Sequence, residues 1–235
     1  MTDIAGQIVF ITGAAGTLGR AVAAAFREAG AKLVLVDVAA GGLEKSYGAE
    51  SDTALPVAVD LADEAAVAAS VAAAKKKFGG IDIVCNIAGG FDMGPAVHET
   101  TAALWDKMMG LNVGTVLNVV RAVVPVMLAA GHGKIVNVGA MGGTVGKGHM
   151  GAYSASKAVV IRLTESMSTE LRERGINVNC VLPSIIDTPP NRADMPGADH
   201  SKWVSPAALA DVILFLASDK ARAIHGAALP VVGLS

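Results

Sequence analysis

Seven short runs rich in Val, Ile and Leu recur along this chain, most of them separated by longer Ala-rich segments, and no other feature limits its folding so strongly. The runs cover 8–12, 32–37, 55–60, 81–86, 133–139, 175–182 and 227–232. They are apolar without alternation, which predicts strands buried on both faces. The segments 17–29, 63–78, 101–130, 152–174 and 206–217 carry helical spacing instead. Strands alternating with helices imply an α/β protein with a parallel sheet and right-handed crossovers. Punctuation agrees: Asp63 can cap one helix, Ser205 precedes Pro206 at the start of another, and Gly30, Gly79 and Gly175 follow helix ends.

At 235 residues the chain is expected to be one domain, 1–235, with a core large enough to need no metal or disulfide. Nineteen Lys and Arg against 21 Asp and Glu give a net charge of −2, with no basic stripe for nucleic acid. Lys75, Lys76 and Lys77 fall in a last helical turn, where the dipole favours cations. Cys85 and Cys180 lie in apolar runs without metal-type spacing and read as buried free thiols, so no metal is expected. The start of the chain lacks a signal-like pattern, and 111–130, interrupted by Asn112, Asn118, Arg121 and Pro125, reads as a buried helix rather than a membrane span. A cytoplasmic protein is expected. Segment 184–204 lacks periodicity, and its place after a strand's carboxyl end predicts a lid over a substrate site.

Chemistry enters with Thr12-Gly13-Ala14-Ala15-Gly16-Thr17-Leu18-Gly19, between the first strand and the first helix. Gly13 permits the turn, Gly16 lets backbone approach a pyrophosphate, and Gly19 lets helix and strand close together. Asp37 ends the second strand, where a carboxylate accepts hydrogen bonds from adenosine ribose hydroxyls and repels a 2′-phosphate. With no Arg or Lys at Ala14, Ala15 or Val38, NAD(H) is preferred over NADP(H). Tyr153 and Lys157 stand at i and i+4 on one helix face. An ammonium near the phenol would bring its pKa from about 10 to near 7, worth roughly 4 kcal/mol, and make Tyr153 an acid/base.

In this order, these motifs resemble the short-chain dehydrogenase/reductase family over nearly the whole chain. The resemblance implies a single doubly wound Rossmann domain, a seven-stranded parallel sheet in the order 3-2-1-4-5-6-7, and hydride transfer between nicotinamide and a small carbonyl, alcohol or cyclic substrate. Tyr153 would be the catalytic acid/base and Lys157 would tune it and hold the nicotinamide ribose. Asn112 would support a water that relays protons to Lys157. Cofactor contacts would come from Gly13, Ala15, Gly16, Thr17, Leu18 and Gly19, from Asp37 and Val38, from Asp60 and Leu61, and from Asn86, Ala88 and Gly89. Pro183, Ile186 and Thr188 would line the nicotinamide end. A homotetramer or homodimer, packed through 101–130 and 152–174, is implied as well.

Two positions depart from the pattern. Thr17 stands where the family spacing has glycine, and Ala140 stands where the family has its substrate-orienting serine. A lost oxyanion donor typically costs about 10² to 10³ in rate. Thr144 and His149 are alternative donors. Segment 182–203, with Asp187, Asn191, Arg192, Met195 and Trp203, resembles the quinonoid dihydropteridine reductases of that family, which also carry alanine at this point. Arg192 and Asn191 would face a heterocycle there, or Arg192 would pair with Asp194 or Asp199, while Met195 and Trp203 read as lid packing. Ala140 also leaves open a non-catalytic dinucleotide-binding sensor or assembly subunit.

Overall fold

All seven apolar runs pair in parallel into one sheet, ordered β3-β2-β1-β4-β5-β6-β7. The computed structural model describes residues 4–235. The strands are β1 (Ile8–Thr12), β2 (Lys32–Asp37), β3 (Ala54–Ala58), β4 (Ile83–Asn86), β5 (Gly133–Val138), β6 (Ile176–Pro183) and β7 (Ala228–Val231). The helices are α1 (Thr17–Glu28), α2 (Ala40–Tyr47), α3 (Glu64–Phe78), α4 (Ala102–Met109), α5 (Thr115–Ala130), α6 (Gly151–Leu171), α7 (Pro189–Asp194) and α8 (Pro206–Ala217). The order reverses between β1, which pairs with β2, and β4, which starts the second half. Such a reversal opens a crevice at the strands' carboxyl ends.

Apolar residues fill both faces of the sheet, as runs without alternation require. Val9 and Ile11 of β1 pack with Val22 and Phe26 of α1 and Leu209 and Ile213 of α8. Ile8 and Phe10 point the other way, to Val67 and Val71 of α3 and Val119, Val123 and Met127 of α5. Each large side chain so buried contributes roughly 2 to 3 kcal/mol. Caps fall where expected: Asp63 accepts from Ala65 N and Ala66 N, Ser205 from Ala208 N, and Gly79 is left-handed at φ 100°. Cys85 and Cys180 are free and buried.

The helix expected over 101–130 is two helices joined by a single π-type turn, Gly110–Gly114. Asn112 sits in that turn and is tied to a neighbouring loop, so tertiary bonds offset the local departure from α geometry. Nor is the segment buried all round. By length and hydropathy 102–130 could cross a membrane, but α5 buries one stripe in the core and leaves Arg121, Pro125 and Ala129 exposed. Two short helices lacked a sequence signal. In α2 two of eight residues are glycine, which disfavours helix by roughly 1 kcal/mol each, and Leu43 packing on the sheet compensates. The lid segment is also more regular than expected, holding α7 and a bridge between Ile186 and Val204.

Gly175 ends the α6 region at φ 77°, and a Cβ there would lie 2.2 Å from the Gly131 carbonyl oxygen. Gly175→Ala should therefore destabilise the fold by about 2 to 4 kcal/mol, measured by denaturant unfolding, well above an ordinary Gly→Ala cost.

Candidate active site

A cleft of about 420 Å³ opens at the sheet's reversal point, between the turn after β1 and the turn after β4. Its walls include Gly13, Gly16, Thr17, Leu18 and Gly19 from the first turn and Asp37 and Val38 from the end of β2. Asp60, Leu61, Ala88, Gly89 and Thr188 complete the expected residues on its surface. Val59, Ile87, Leu111, Thr115 and Pro190 also line it, and Val59 and Leu111 belong to no motif because apolar contact has no spacing rule. Tyr153, Lys157, Asn112, Asn86, Ala15, Pro183 and Ile186 lie outside that surface.

The first turn is built for an anion. Gly13 is left-handed at φ 62°, and a Cβ on it would stand 3.0 Å from the backbone of Ala88. Gly16 caps α1 without any side-chain hydrogen bond, so the helix's first N–H groups face the cleft uncapped. Gly19 would collide with the Gly13 carbonyl at 2.1 Å if it carried a Cβ, which explains the third glycine by packing. Thr17, where the family has glycine, fits as the first helical residue. Ala15 contributes its backbone: its N–H donates to Asp37 Oδ2 at 3.0 Å, while Asp37 Oδ1 accepts from Ala39 N at 3.0 Å.

Thr12, which opens the glycine turn, joins it to the turn after β4. Its hydroxyl oxygen accepts from Ile87 N at 2.9 Å and Ala88 N at 3.0 Å, fastening the β4 turn to the end of β1. Asn86 does not reach the cleft surface. It donates to Asn137 Oδ1 at 2.8 Å, and Asn137 donates to Thr164 Oγ1 at 2.9 Å, so a buried ladder ties β4 and β5 to α6. Among the described residues the Asn86 Oδ1 oxygen has no partner.

On the far side of the β4 turn, Gly89 brings the cleft against the reactive side chains. A Cβ on Gly89 would lie 2.7 Å from Asn112 Oδ1 and 3.3 Å from Lys157 Nζ. Asn112 is clasped to that turn: Gly90 N donates to Oδ1 at 2.9 Å, and Nδ2 donates to Gly90 O at 3.0 Å and Ser156 Oγ at 3.0 Å. These bonds hold the π-type turn, a bulge often found at functional sites. Lys157 is buried and donates to Val138 O at 2.9 Å. Phe91 packs edge-on to Tyr153, with ring centroids 4.9 Å apart.

The electrostatics differ from the sequence expectation. Burial pushes the Tyr153 phenol up to about 12, and the same cause brings the Lys157 ammonium down to about 8. Desolvation of each group outweighs any attraction between them, because Lys157 spends its hydrogen bond on the β5 carbonyl. Tyr153 is thus a phenol, able to donate a proton.

Ala140 is buried at the end of β5. Of the two alternative donors, Thr144 has its hydroxyl turned to Met141 O at 2.7 Å, and His149 sits exposed in the left-handed region at φ 62°. In the lid, Arg192 pairs with Asp187, through Nε at 2.5 Å and Nη2 at 2.7 Å, rather than with Asp194 or Asp199. The Asp187 carboxyl is held below its usual range by those bonds. Asn191 Nδ2 donates to Ile186 O at 2.8 Å, and Thr188 caps α7 by accepting from Asn191 N. Trp203 is buried against His200, with ring centroids 4.4 Å apart, whereas Met195 is only half-buried. Pro183 lies in β6, paired with Val231.

Residues 7–197 match the family model described as short chain dehydrogenase. The chain is 35% identical over 243 residues to 2-(R)-hydroxypropyl-CoM dehydrogenase of Xanthobacter autotrophicus, covering 97% of each. It is 34% identical over 253 residues to levodione reductase of Leifsonia aquatica, covering 99% of this chain and 95% of that one. The crystal structure of 3-ketoacyl-(acyl-carrier-protein) reductase from Brucella melitensis complexed with NADH superposes with a TM-score of 0.88 at 32% identity, covering 98% of both chains.

The pKa of Lys157 yields a signed prediction. An ammonium at about 8 in the fold and 10.5 unfolded means that the unfolded chain binds more protons between those values. The Lys157 contribution to stability should accordingly rise with pH from about 8 to about 10, while the Cys85 and Cys180 thiols, both pushed up by burial, act the other way above about 9. Lys157→Met should flatten that rise, as read by urea denaturation at a series of pH values.

Proposed function

This chain belongs to the short chain dehydrogenase family, and from that premise we propose that it is an NAD(H)-dependent oxidoreductase of small carbonyl and alcohol substrates with Tyr153 as acid/base. Its relatives are named dehydrogenases and reductases, so oxidoreductase chemistry at CH–OH or C=O groups is the common ground. The observation that carries the finer reading is the placement of Gly89. One side of its turn lines a dinucleotide-sized cleft, and a Cβ there would touch Asn112 and Lys157.

The cleft suits a nicotinamide dinucleotide, a group bound as NADH in the Brucella melitensis neighbour. The uncapped start of α1 would take the pyrophosphate, and Asp37, oriented by two backbone N–H groups, would accept from the ribose hydroxyls. Asp60 and Leu61 would border the adenine, while Thr188 and Gly89 would border the nicotinamide side. When bound, the cofactor supplies or accepts the hydride. Tyr153 donates its phenolic proton to the carbonyl oxygen in reduction and takes it back in oxidation. Lys157, cationic below about pH 8, steadies the phenolate left behind, and Asn112 fixes the turn that lies against the Lys157 ammonium.

Ala140 removes one donor from the substrate oxygen, and the Thr144 hydroxyl is already engaged. We read this as a substrate that leans on Tyr153 alone. The lid gives less support to a quinonoid dihydropterin, because Asn191 and Arg192 are bonded within the segment. A homotetramer or homodimer packed through 101–130 and 152–174, and a cytoplasmic location, belong to the same reading.

Tyr153→Phe should lower kcat by about 10² or more while leaving the Kd for NADH within a few-fold. Assays with NADH and cyclic ketones, with a quinonoid dihydropterin in parallel, test both substrates. NADH binding without turnover on either panel would sink the catalytic reading and leave a sensor. In the same assay Ala140→Ser should raise kcat on ordinary ketones, on the order of tenfold, if the missing donor limits the rate.

A further inference from the structure

The adenosine end of the cleft is more cationic than its motif suggests. Arg20, on the first turns of α1, donates through Nη1 to the Ala15 carbonyl, while the N–H of the same residue donates to Asp37 Oδ2 at 3.0 Å. One alanine therefore separates the guanidinium from the carboxylate. Arg27, seven residues further and on the same helix face, lies over the Tyr47 ring at 5.7 Å from its centroid. Tyr47 in turn donates to Ala14 O at 2.6 Å, so the phenol and the Arg20 guanidinium grip successive carbonyls of the turn. The charges of Arg27, Arg20 and Asp37 all act on the Tyr47 phenol, which places the four groups in one corner. Among the described residues the arginines in ion pairs are Arg121, Arg162 and Arg192. Arg20 and Arg27 thus hold no carboxylate among the described residues.

We propose that Arg20 is a latent reader of the 2′-phosphate, and that Asp37 alone keeps this corner selective for the dinucleotide that lacks it. The inference rests on the NAD(H) reading and adds the cation that reading omits. A phosphate dianion at the edge of the ribose site meets the Asp37 carboxylate, and repulsion dominates. Once that carboxylate is removed, the exposed guanidinium remains on the other side of Ala15, one residue from the vacated position. Its fork of N–H donors matches phosphate oxygens, and one of them can leave the Ala15 carbonyl, whose exposure to water makes the exchange cheap. Cofactor choice should then invert without the introduction of any new basic residue.

The test is direct binding of NADH and NADPH, followed by nucleotide fluorescence, to wild type, Asp37→Ser, Asp37→Asn and each combined with Arg20→Gln or Arg20→Lys. Thermal unfolding identifies any variant that fails to fold, and Asn serves as the near-isosteric alternative to Ser. The ratio of NADPH to NADH affinity should rise on the order of 10- to 100-fold when Asp37 is neutralised. Arg20→Gln in that background should cancel most of the rise, and Arg20→Lys should keep part of it. If Arg20→Gln weakens both cofactors equally, Arg20 only holds the turn and the proposal is overturned; it is overturned too if the ratio does not change. A wild type that binds NADPH as tightly as NADH would instead overturn the reading of Asp37.

Discussion

The rest of this molecule depends on one close approach, that of the turn after β1 to the turn after β4. Gly13 lies against the backbone of Ala88 with no room for a Cβ, and the Thr12 hydroxyl accepts from two successive N–H groups of the opposing turn. Because the sheet reverses its order at this pair of strands, the two turns diverge beyond their contact and leave the cleft between them. Everything placed in that cleft inherits its position from the contact: the uncapped start of α1 on one side, Gly89 and the side chains behind it on the other.

A second layer of buried polar bonds extends that fixed point to the reactive groups. Asn86, Asn137 and Thr164 connect β4 through β5 to α6, and Asn112 joins the Gly90 backbone to Ser156 on the same helix. Buried hydrogen bonds of this kind each contribute only about 1 kcal/mol net, but breaking one strands a desolvated partner. They are therefore better suited to fixing geometry than to adding stability. Lys157 shows the cost of the arrangement: it is held in an apolar setting by a single carbonyl, and its ammonium is less favoured than in water.

The corner at Asp37 and the corner at Tyr153 are governed by opposite balances. Around Asp37 the charged side chains keep contact with water, and the proposed choice of nucleotide rests on that one carboxylate. At the reactive end desolvation dominates, and Tyr153 stays a phenol despite a lysine on the same helix face. Proximity along a helix gives two groups a common side, while their mutual effect depends on what each touches and how much water remains.

The chain's own pattern determined the strands, their parallel pairing, the glycine turn and the Asp37 position, because each rests on local periodicity or on a backbone shape that few residues allow. Strand ends shifted by only a few residues, as with β3 ending at Ala58 and β4 beginning at Ile83. Tertiary structure alone decided what needed distant partners. The π-type turn at Asn112 exists because Gly90 and Ser156 meet it, and α2 survives its glycines because Leu43 finds the core. Arg192 chose Asp187 over two other carboxylates, and Arg20 came to hold the carbonyl of the same Ala15 whose N–H binds Asp37, through folded geometry that spacing does not encode. Local conformational preference is written residue by residue, whereas burial and charge balance are properties of assembled surfaces.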